Sequence, residues 1–125
     1  MKLIQEILLV GLGGSIGAVL RFGLSKIINN NFSYSFPIST FLSNFIGCFL
    51  IGLVMPVLER NNLLDSNLKL FLIVGLLGGF TTFSIFGFQV IDLIKRGELF
   101  LSLSYVLLSV ILCILAVFLG VKLNS

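Results

Sequence analysis

Apolar residues run along this chain in four long segments, separated by polar stretches near residues 29–35, 59–69 and 95–98. The four segments cover approximately residues 3–28, 38–58, 70–94 and 99–121. Each is long enough for one transmembrane helix, which needs about 20 mostly apolar residues to cross the hydrocarbon core. The pattern therefore predicts an all-α membrane protein in which four transmembrane helices form one domain over residues 1–125.

Composition supports this class and argues against others. Of the 125 residues, 58% are hydrophobic and 10% are charged, whereas a soluble domain averages about 25% charged residues. The polar stretches are too short to hold an enzyme site, so we expect the protein not to be an enzyme. Without histidine, the chain offers no Cys/His cluster for a transition metal. We interpret Cys48 and Cys113, which both fall within spans, as packing residues.

The third segment contains the most unusual stretch, which runs from Gly75 to Phe86 and reads GLLGGFTTFSIF. The Gly78-Gly79 pair lacks the Cβ atoms that restrain a helix, and we predict that the third helix breaks at this glycine-rich stretch. In hydrocarbon, irregular backbone persists only where protein buries it or where it lines a water-filled cavity. Freed carbonyls at such a break are ready ligands for a cation, and Gly78 and Thr81 flank this one. Two carbonyls from each chain of a two-fold dimer would give a structural cation four oxygens.

Small residues recur at spacings that let helices approach closely. Gly13 and Gly17 form one small-xxx-small pair, and Gly75 and Gly79 form another. We expect these glycine-rich faces to supply the contact surface of a dimer.

Positive charge is almost evenly divided between the two sides of the predicted bundle. One side carries Lys2, Arg60, Lys69 and Lys122. The other side carries Lys26, Lys95 and Arg96, with Arg21 inside the first span. A Lys/Arg imbalance between short loops normally orients a membrane protein, so this chain is expected to insert both ways up. Two inverted copies could then build an antiparallel dimer.

The polar residues within the spans favour an anion over a cation. Carboxylates occur only near span ends, whereas a cation pathway normally shows them within. Arg21 either extends its charge to the interface or attracts an anion in a water-filled vestibule. Asn44 either hydrogen-bonds another helix or donates its amide N–H to a passing anion. Tyr105 and Ser109 offer hydroxyl donors from the fourth span.

Phe83 and Phe86 lie one helical turn apart beside the polar Thr82 and Ser84. They are either ordinary core aromatics or part of a pathway. Because a phenyl ring has a positive edge, an edge-on pair can face a dehydrated anion without offering it a full charge. Such a pair suits a small, strongly hydrated anion.

Three motifs resemble those of the fluoride ion channels of the Fluc/CrcB family over essentially the full length. The first span resembles the family's motif GGxxGAxxR at Gly13, Gly14, Gly17, Ala18 and Arg21. The second span resembles its motif TxxxNxxGxFxxG at Thr40, Asn44, Gly47, Phe49 and Gly52. The third span resembles its motif GxxGGxTTFSTF at Gly75, Gly78, Gly79, Thr81, Thr82, Phe83, Ser84 and Phe86.

The resemblance implies a dual-topology antiparallel homodimer with two pores in the bacterial plasma membrane, passively exporting cytoplasmic fluoride. It implies one structural sodium ion at the dimer centre, held by the backbone carbonyls of Gly78 and Thr81. The pore residues would include the paired phenylalanines Phe83 and Phe86, together with Asn44. Tyr105 and Ser109 would form a polar track in the fourth span. The expected partners are fluoride, the lipid bilayer and a second copy of the chain, with no nucleic acid.

Several positions depart from the family pattern. Ile85 replaces a threonine, Gln89 stands where many members have glutamate, and Cys113 stands where serine is common. Some genomes carry two paralogues that pair with each other, so a heterodimer with a paralogue is the alternative assembly.

Two other functions fit four spans. A small dual-topology, proton-coupled cation or multidrug exporter needs a membrane-embedded carboxylate, and the first span offers only Glu6, close to its start. A scaffold subunit of a larger membrane complex would have small-residue faces but no helix break.

Overall fold

The computed structural model describes residues 1–31 and 36–124. Its helices are α1 (Lys2–Asn31), α2 (Ile38–Arg60), α3 (Asn67–Phe80), α4 (Ser84–Lys95) and α5 (Leu99–Leu123). Helix α3 consists of an α-helical turn Asn67–Lys69, a π-helical stretch Leu70–Leu77 and an α-helical turn Gly78–Phe80. Within these described ranges, four helical segments are long and apolar enough to span a membrane, because α3 and α4 together form the third. The predicted all-α class with four spans is confirmed.

The first helix is longer than its predicted span. Asn29 and Asn31 lie within α1 and not in a loop. The Asn31 amide donates to the Ile27 carbonyl at 2.7 Å, and that of Asn29 donates to the Ser25 hydroxyl at 3.2 Å. These bonds to the preceding turn support the helix end. The rest of the predicted first loop, residues 32–35, lies outside the described residues.

Local capping explains why the other connections are short. After α2, Asn62 has a φ of 57°, and the Leu63 N–H donates to the Leu58 carbonyl. After α4, Gly97 has a φ of +79°, and the Glu98 N–H donates to the Leu93 carbonyl. Both ends have the hydrogen bonding of a Schellman cap, in which a residue with positive φ lets the chain turn sharply.

Helices α1 and α3 pack so closely that side chains are excluded between them. A Cβ atom on Gly17 would lie 2.0 Å from the Leu76 carbonyl oxygen, and one on Gly79 would lie 2.5 Å from the Gly14 carbonyl oxygen. Gly13 and Gly75 make equally close approaches across the same contact. We call these four glycines the glycine seam. The expectation that they form the dimer surface is therefore wrong, since they are used within one chain.

Helices α2 and α5 form the second close pair and run in the same direction. Midway along them, a Cβ on Gly52 would lie 2.3 Å from the Val117 carbonyl oxygen. At their shared end, Arg60 donates a hydrogen bond to the Asn124 carbonyl. The second connection and the chain's last described residues lie at this end, as the division of Lys and Arg between the two sides of the bundle requires.

The buried core near the other end joins α4 to α5. Leu93 and Tyr105 are fully buried there, and Phe86 is nearly so. The Phe36 ring meets the Tyr105 ring edge-on at 5.2 Å between centroids. This cluster fixes α4 after the interruption of the third span.

That interruption lies at Thr81–Phe83, after the glycines and not at them. Gly78 has helical angles, with φ −61° and ψ −39°, whereas Thr81 is extended, with φ −98° and ψ 160°. The interruption therefore falls within the predicted glycine-rich stretch Gly75–Phe86, but the Gly78-Gly79 pair itself stays helical. Its missing Cβ atoms serve the contact with α1, and the chain leaves the helix where its hydrogen bonds are diverted.

Candidate functional site

Asn44 on α2 binds the interrupted backbone through both ends of its amide. The Thr82 N–H donates to Asn44 Oδ1 at 2.8 Å, and Asn44 Nδ2 donates to the Thr82 carbonyl at 3.0 Å. One N–H of the Asn44 amide is left over. Asn44 therefore holds two helices together and still retains one donor.

Several consecutive carbonyl oxygens at the interruption lose their usual helical donors, among them those of Gly78 and Thr81. The Thr82 N–H turns to Asn44 instead of Gly78, and the Ile85 N–H turns to the Thr82 hydroxyl at 3.4 Å instead of Thr81. Among the described residues, no hydrogen bond ends on the Gly78 or Thr81 carbonyl oxygen. Both carbonyls are therefore available to a ligand.

Arg21 on α1 reaches the same region. Its Nε donates to the Gly79 carbonyl at 3.2 Å, and the side chain is half-buried. A cation at the C-terminal end of α3 also complements the negative end of that helix dipole. Arg21 thus contacts the interrupted helix and does not simply extend towards the membrane interface.

A groove of about 610 Å³ opens beside the interruption, between α2, α3 and α5. We call it the central groove. Of the residues predicted for the site, its lining includes Asn44, Gly78, Thr81, Thr82, Phe83, Phe86 and Ser109. The remaining wall is mainly apolar and includes Ile51, Ile73, Val110 and Ile114. Residues from three of the four spans therefore meet in one place.

The two predicted phenylalanines are adjacent but differ in exposure. Their ring centroids lie 5.6 Å apart, with an interplanar angle of 41°. Phe86 is 8% exposed, and its ring lies 4.9 Å from that of Tyr105. Phe83 is 82% exposed at the mouth of the central groove. One ring is thus fixed in the core and the other is open to whatever covers the groove.

The fourth-span donors are in different settings. Ser109 lines the central groove, and its buried hydroxyl oxygen has no hydrogen-bond partner among the described residues. Tyr105 lies behind Phe86, and its hydroxyl donates to Gln89 Oε1 at 2.8 Å. Ser84 is exposed at the start of α4. Neither Tyr105 nor Ser84 lines the central groove.

A second, more polar cavity of about 300 Å³ lies towards the end of the bundle where α1 ends and α2 begins. We call it the polar vestibule. Its lining includes Arg21, Ser25, Asn29, Ser39, Thr40, Ser43, Thr82, Gln89, Asp92 and Arg96. Asp92 and Arg96 pair there at 2.9 Å. Thr82 lines both cavities, so the Asn44–Thr82 contact lies at the junction between vestibule and groove.

Sequence reasoning did not single out several vestibule residues as site residues. Ser25 and Asn29 follow Arg21 at intervals of four residues, which places all three on one helix face. That spacing could have revealed them. Gln89 was noted only as a departure from the family pattern. Its hydrogen bond to Tyr105 depends on the packing of α4 on α5, which no local pattern indicates.

Comparison with known proteins covers nearly the whole chain. A family model described as CrcB-like protein, Camphor Resistance (CrcB), matches residues 8–121. A protein of Azobacteroides pseudotrichonymphae genomovar. CFP2, named fluoride-specific ion channel FluC, is 42% identical over 118 residues, which are 94% of each chain.

Two further relatives carry the same name. The one from Flavobacterium psychrophilum is 40% identical over 116 residues, or 93% of this chain and 94% of the relative. The one from Thermus thermophilus is 41% identical over 122 residues, which are 98% of this chain and 95% of the relative. With four helices able to span a bilayer, the chain is a multi-pass bacterial membrane protein. The matched family model and the extent of these identities together show that it belongs to the CrcB family.

Proposed function

We propose that this chain forms a fluoride channel, through which fluoride leaves the cytoplasm passively, and that it has no enzymatic activity. Relatives about two-fifths identical over nearly their whole length bear the name of a fluoride-specific ion channel. One structural observation carries the proposal. The central groove and the polar vestibule meet at the Asn44–Thr82 contact, which gives a hydrogen-bonding route past the interruption of the third span.

The route offers donors to an anion. Arg21 supplies positive charge in the vestibule, and Asn44 retains one N–H at the junction. In the groove, the Ser109 hydroxyl has no partner within residues 1–31 and 36–124. The Thr82 hydroxyl accepts from the Ile85 N–H, which leaves its own proton free to donate onward. No acidic side chain lines the central groove among the described residues. Within the central groove a dehydrated anion therefore meets hydrogen-bond donors without a repelling carboxylate, and in the vestibule the Asp92 carboxylate is paired with Arg96.

Aromatic edges complete this environment in the proposal. Phe83 and Phe86 would direct ring edges, which carry partial positive charge, at fluoride in the groove. Tyr105 would act from behind by fixing the Phe86 ring, since the two rings are in contact. Ser84 would contribute from the exposed side, next to Phe83, where a second chain would pack.

We infer that the functional unit is an antiparallel homodimer made of one four-helix domain per chain. The exposed Phe83 and the uncapped Gly78 and Thr81 carbonyls lie in a membrane-spanning segment. Hydrocarbon cannot satisfy such carbonyls, so protein or a bound ion must cover them. The near balance of Lys and Arg between the two ends supports insertion in both orientations. A paralogous chain in place of the second copy is the alternative.

A structural sodium ion fits the same region in this proposal. The donor set is suitable because backbone carbonyls at unwound helical segments coordinate Na⁺ in membrane proteins. The carbonyls of Gly78 and Thr81 would hold the ion, and those of the second copy would complete its ligands. Bound there, sodium would compensate the partial negative charge of the carbonyls and hold the two interruptions together.

The proton-coupled cation exporter receives less support. Such a protein needs a carboxylate facing its transport site, but Glu6 lies on α1 in a separate shallow apolar depression with Ile7, Val10 and Gly11. Asp92 pairs with Arg96 near the end of the bundle. The scaffold alternative leaves the interruption at Thr81–Phe83 without a purpose.

Efflux from liposomes that contain this chain alone tests the proposal. We expect rapid release of fluoride and negligible release of chloride under the same gradient. Folded, dimeric protein that releases no fluoride would contradict a channel made of this chain alone. Adding a paralogue from the same genome, where one exists, then separates a missing partner from a wrong function. Release of a cationic dye driven by a proton gradient would instead support the exporter.

A further inference from the structure

The chain's two cysteines lie near the middle of α2 and α5. Cys48 is on α2 and Cys113 is on α5, and both are free thiols of intermediate exposure. They are the only cysteines in the sequence. The interpretation of these residues as simple packing residues does not account for their placement relative to each other.

The register of the two helices brings the thiols together. Gly52 lies against Val117 with almost no space between the backbones, and the two helices run in the same direction. Cys48 precedes Gly52 by four residues, and Cys113 precedes Val117 by four. One helical turn before the closest contact, the same two faces therefore present one thiol each. The two side chains interact with each other there.

Both thiols face the central groove, where they lie among apolar side chains. Within the described residues, no group of three or more His, Cys, Asp and Glu side chains is placed to hold a metal. A zinc site, which needs three or four protein ligands, is therefore not available. Two sulfur atoms on facing helices suit a soft cation that accepts two ligands, because thiolates select soft metals.

We propose that Cys48 and Cys113 together form a two-thiol site that binds one soft, two-coordinate metal cation, with Hg²⁺ as the probe, within the central groove. Each thiol transfers its proton to water as its sulfur bonds to the metal, so one Hg²⁺ replaces two protons and no electrons are transferred. If the groove conducts fluoride, which rests on the proposed function, the bound cation obstructs that path.

Intact-mass spectrometry of the purified full-length chain tests the site directly. The protein in detergent is given Hg²⁺ together with increasing amounts of glutathione as a competing single thiol. We expect one Hg²⁺ per chain with the loss of two protons. Because two linked ligands raise apparent affinity by about 100-fold or more, Cys48→Ser and Cys113→Ser should each release Hg²⁺ at about 100-fold lower glutathione.

A matched control separates paired geometry from the number of thiols. Cys113→Ser combined with Leu107→Cys keeps two cysteines, but the new thiol is on an exposed part of α5. This double variant should release Hg²⁺ as readily as the single-serine variants. Circular dichroism and gel filtration establish that each variant is folded.

Equal retention of Hg²⁺ by the wild type and either serine variant would overturn the proposal, as would two independently bound Hg²⁺ ions per wild-type chain. Fluoride efflux supplies a second readout: at a glutathione concentration that removes Hg²⁺ from both serine variants but not from the wild type, Hg²⁺ should stop release by the wild type and leave each serine variant at its own untreated rate. Bound Hg²⁺ without loss of efflux would refute obstruction of the path. If the untreated chain releases no fluoride, the proposed function fails, whereas the mass measurement still decides the site.

Discussion

The glycine seam and the central groove are two parts of the same third span with opposite character. In the seam, backbone meets backbone so closely that a Cβ on Gly17 would lie 2.0 Å from a carbonyl oxygen. In the groove, a few residues further on, Phe83 is 82% exposed and the Gly78 and Thr81 carbonyls lose their helical donors. The seam is complete within one chain, whereas the groove leaves the Phe83 ring uncovered.

This difference separates stability from function. A substitution in the seam forces apart two backbones and should reduce the stability of the fold. A substitution in the groove changes what an anion encounters but removes little packing, so it should alter flux while leaving the fold intact.

The largest effect is expected in the seam. Gly17→Ala places a methyl group against the Leu76 carbonyl and should destabilise the chain by about 1–3 kcal/mol, as overpacking of a well-packed interior does. Gly23→Ala on the same helix is the matched control, because no atom of the described part of the chain lies within 4 Å of the added Cβ. Thermal unfolding followed by gel filtration compares them. Equal stability of the two variants would show that the seam is not closely packed.

The next effect concerns the phenylalanine pair. Phe83→Ile or Phe86→Ile should abolish fluoride efflux, because an aliphatic side chain has no positive edge, while dimer assembly stays largely intact. Phe88→Ile, on an exposed position of α4, is the control and should conduct normally. Liposome efflux and light scattering measure both properties. Normal flux in both pair variants would remove the phenylalanines from the pathway.

A smaller but clear effect is expected from Asn44→Asp. The substitution loses the bond to the Thr82 carbonyl and places a negative charge beside the anion. At about 4 Å and an effective dielectric constant of about 20, that repulsion is worth up to about 4 kcal/mol. Fluoride efflux should therefore fall at least about tenfold, which requires only about 1.4 kcal/mol. Unchanged flux and selectivity would show that Asn44 links helices and does not take part in conduction.

The smallest effect is expected from Ser109→Ala. Its buried hydroxyl oxygen has no partner among the residues that the structure describes, so the loss of the hydroxyl should leave stability unchanged. An anion would lose one donor worth about 1 kcal/mol, which corresponds to about a fivefold fall in flux. Ser102→Ala is a useful contrast, because Ser102 donates to the Val90 carbonyl and should lose stability. If Ser109→Ala lowered stability and left flux unchanged, Ser109 would lie outside the pathway.

The sequence was sufficient for the large features of the fold. Four apolar segments predicted four spans because lipid requires long continuous helices. Seven of the residues that meet in the central groove were also predicted together, on motifs that resemble those of a known family, whereas Arg21, Ser84 and Tyr105 were predicted with them and do not line it. The charge comparison placed the second connection and the last residues at one end, where Arg60 contacts Asn124.

Two features depended on contacts that local sequence does not reveal. The glycines were expected to break the helix and to face a second copy, but α1 packs on them and they remain helical. The interruption begins where Asn44, 38 residues away in sequence, accepts the Thr82 N–H. Glycine spacing indicates that a close contact exists but not which helix makes it.

The central claim is that an inverted second copy completes the groove, and topology labelling tests it most directly. In a chain with Cys48→Ser and Cys113→Ser, a single cysteine is introduced at Asp65 in one variant and at Lys95 in another, at opposite ends of the bundle. A membrane-impermeant maleimide is then applied to intact cells. The account predicts that about half of each variant is labelled from outside, as insertion in both orientations requires. Complete labelling of one variant and none of the other would show a single orientation and contradict the antiparallel dimer.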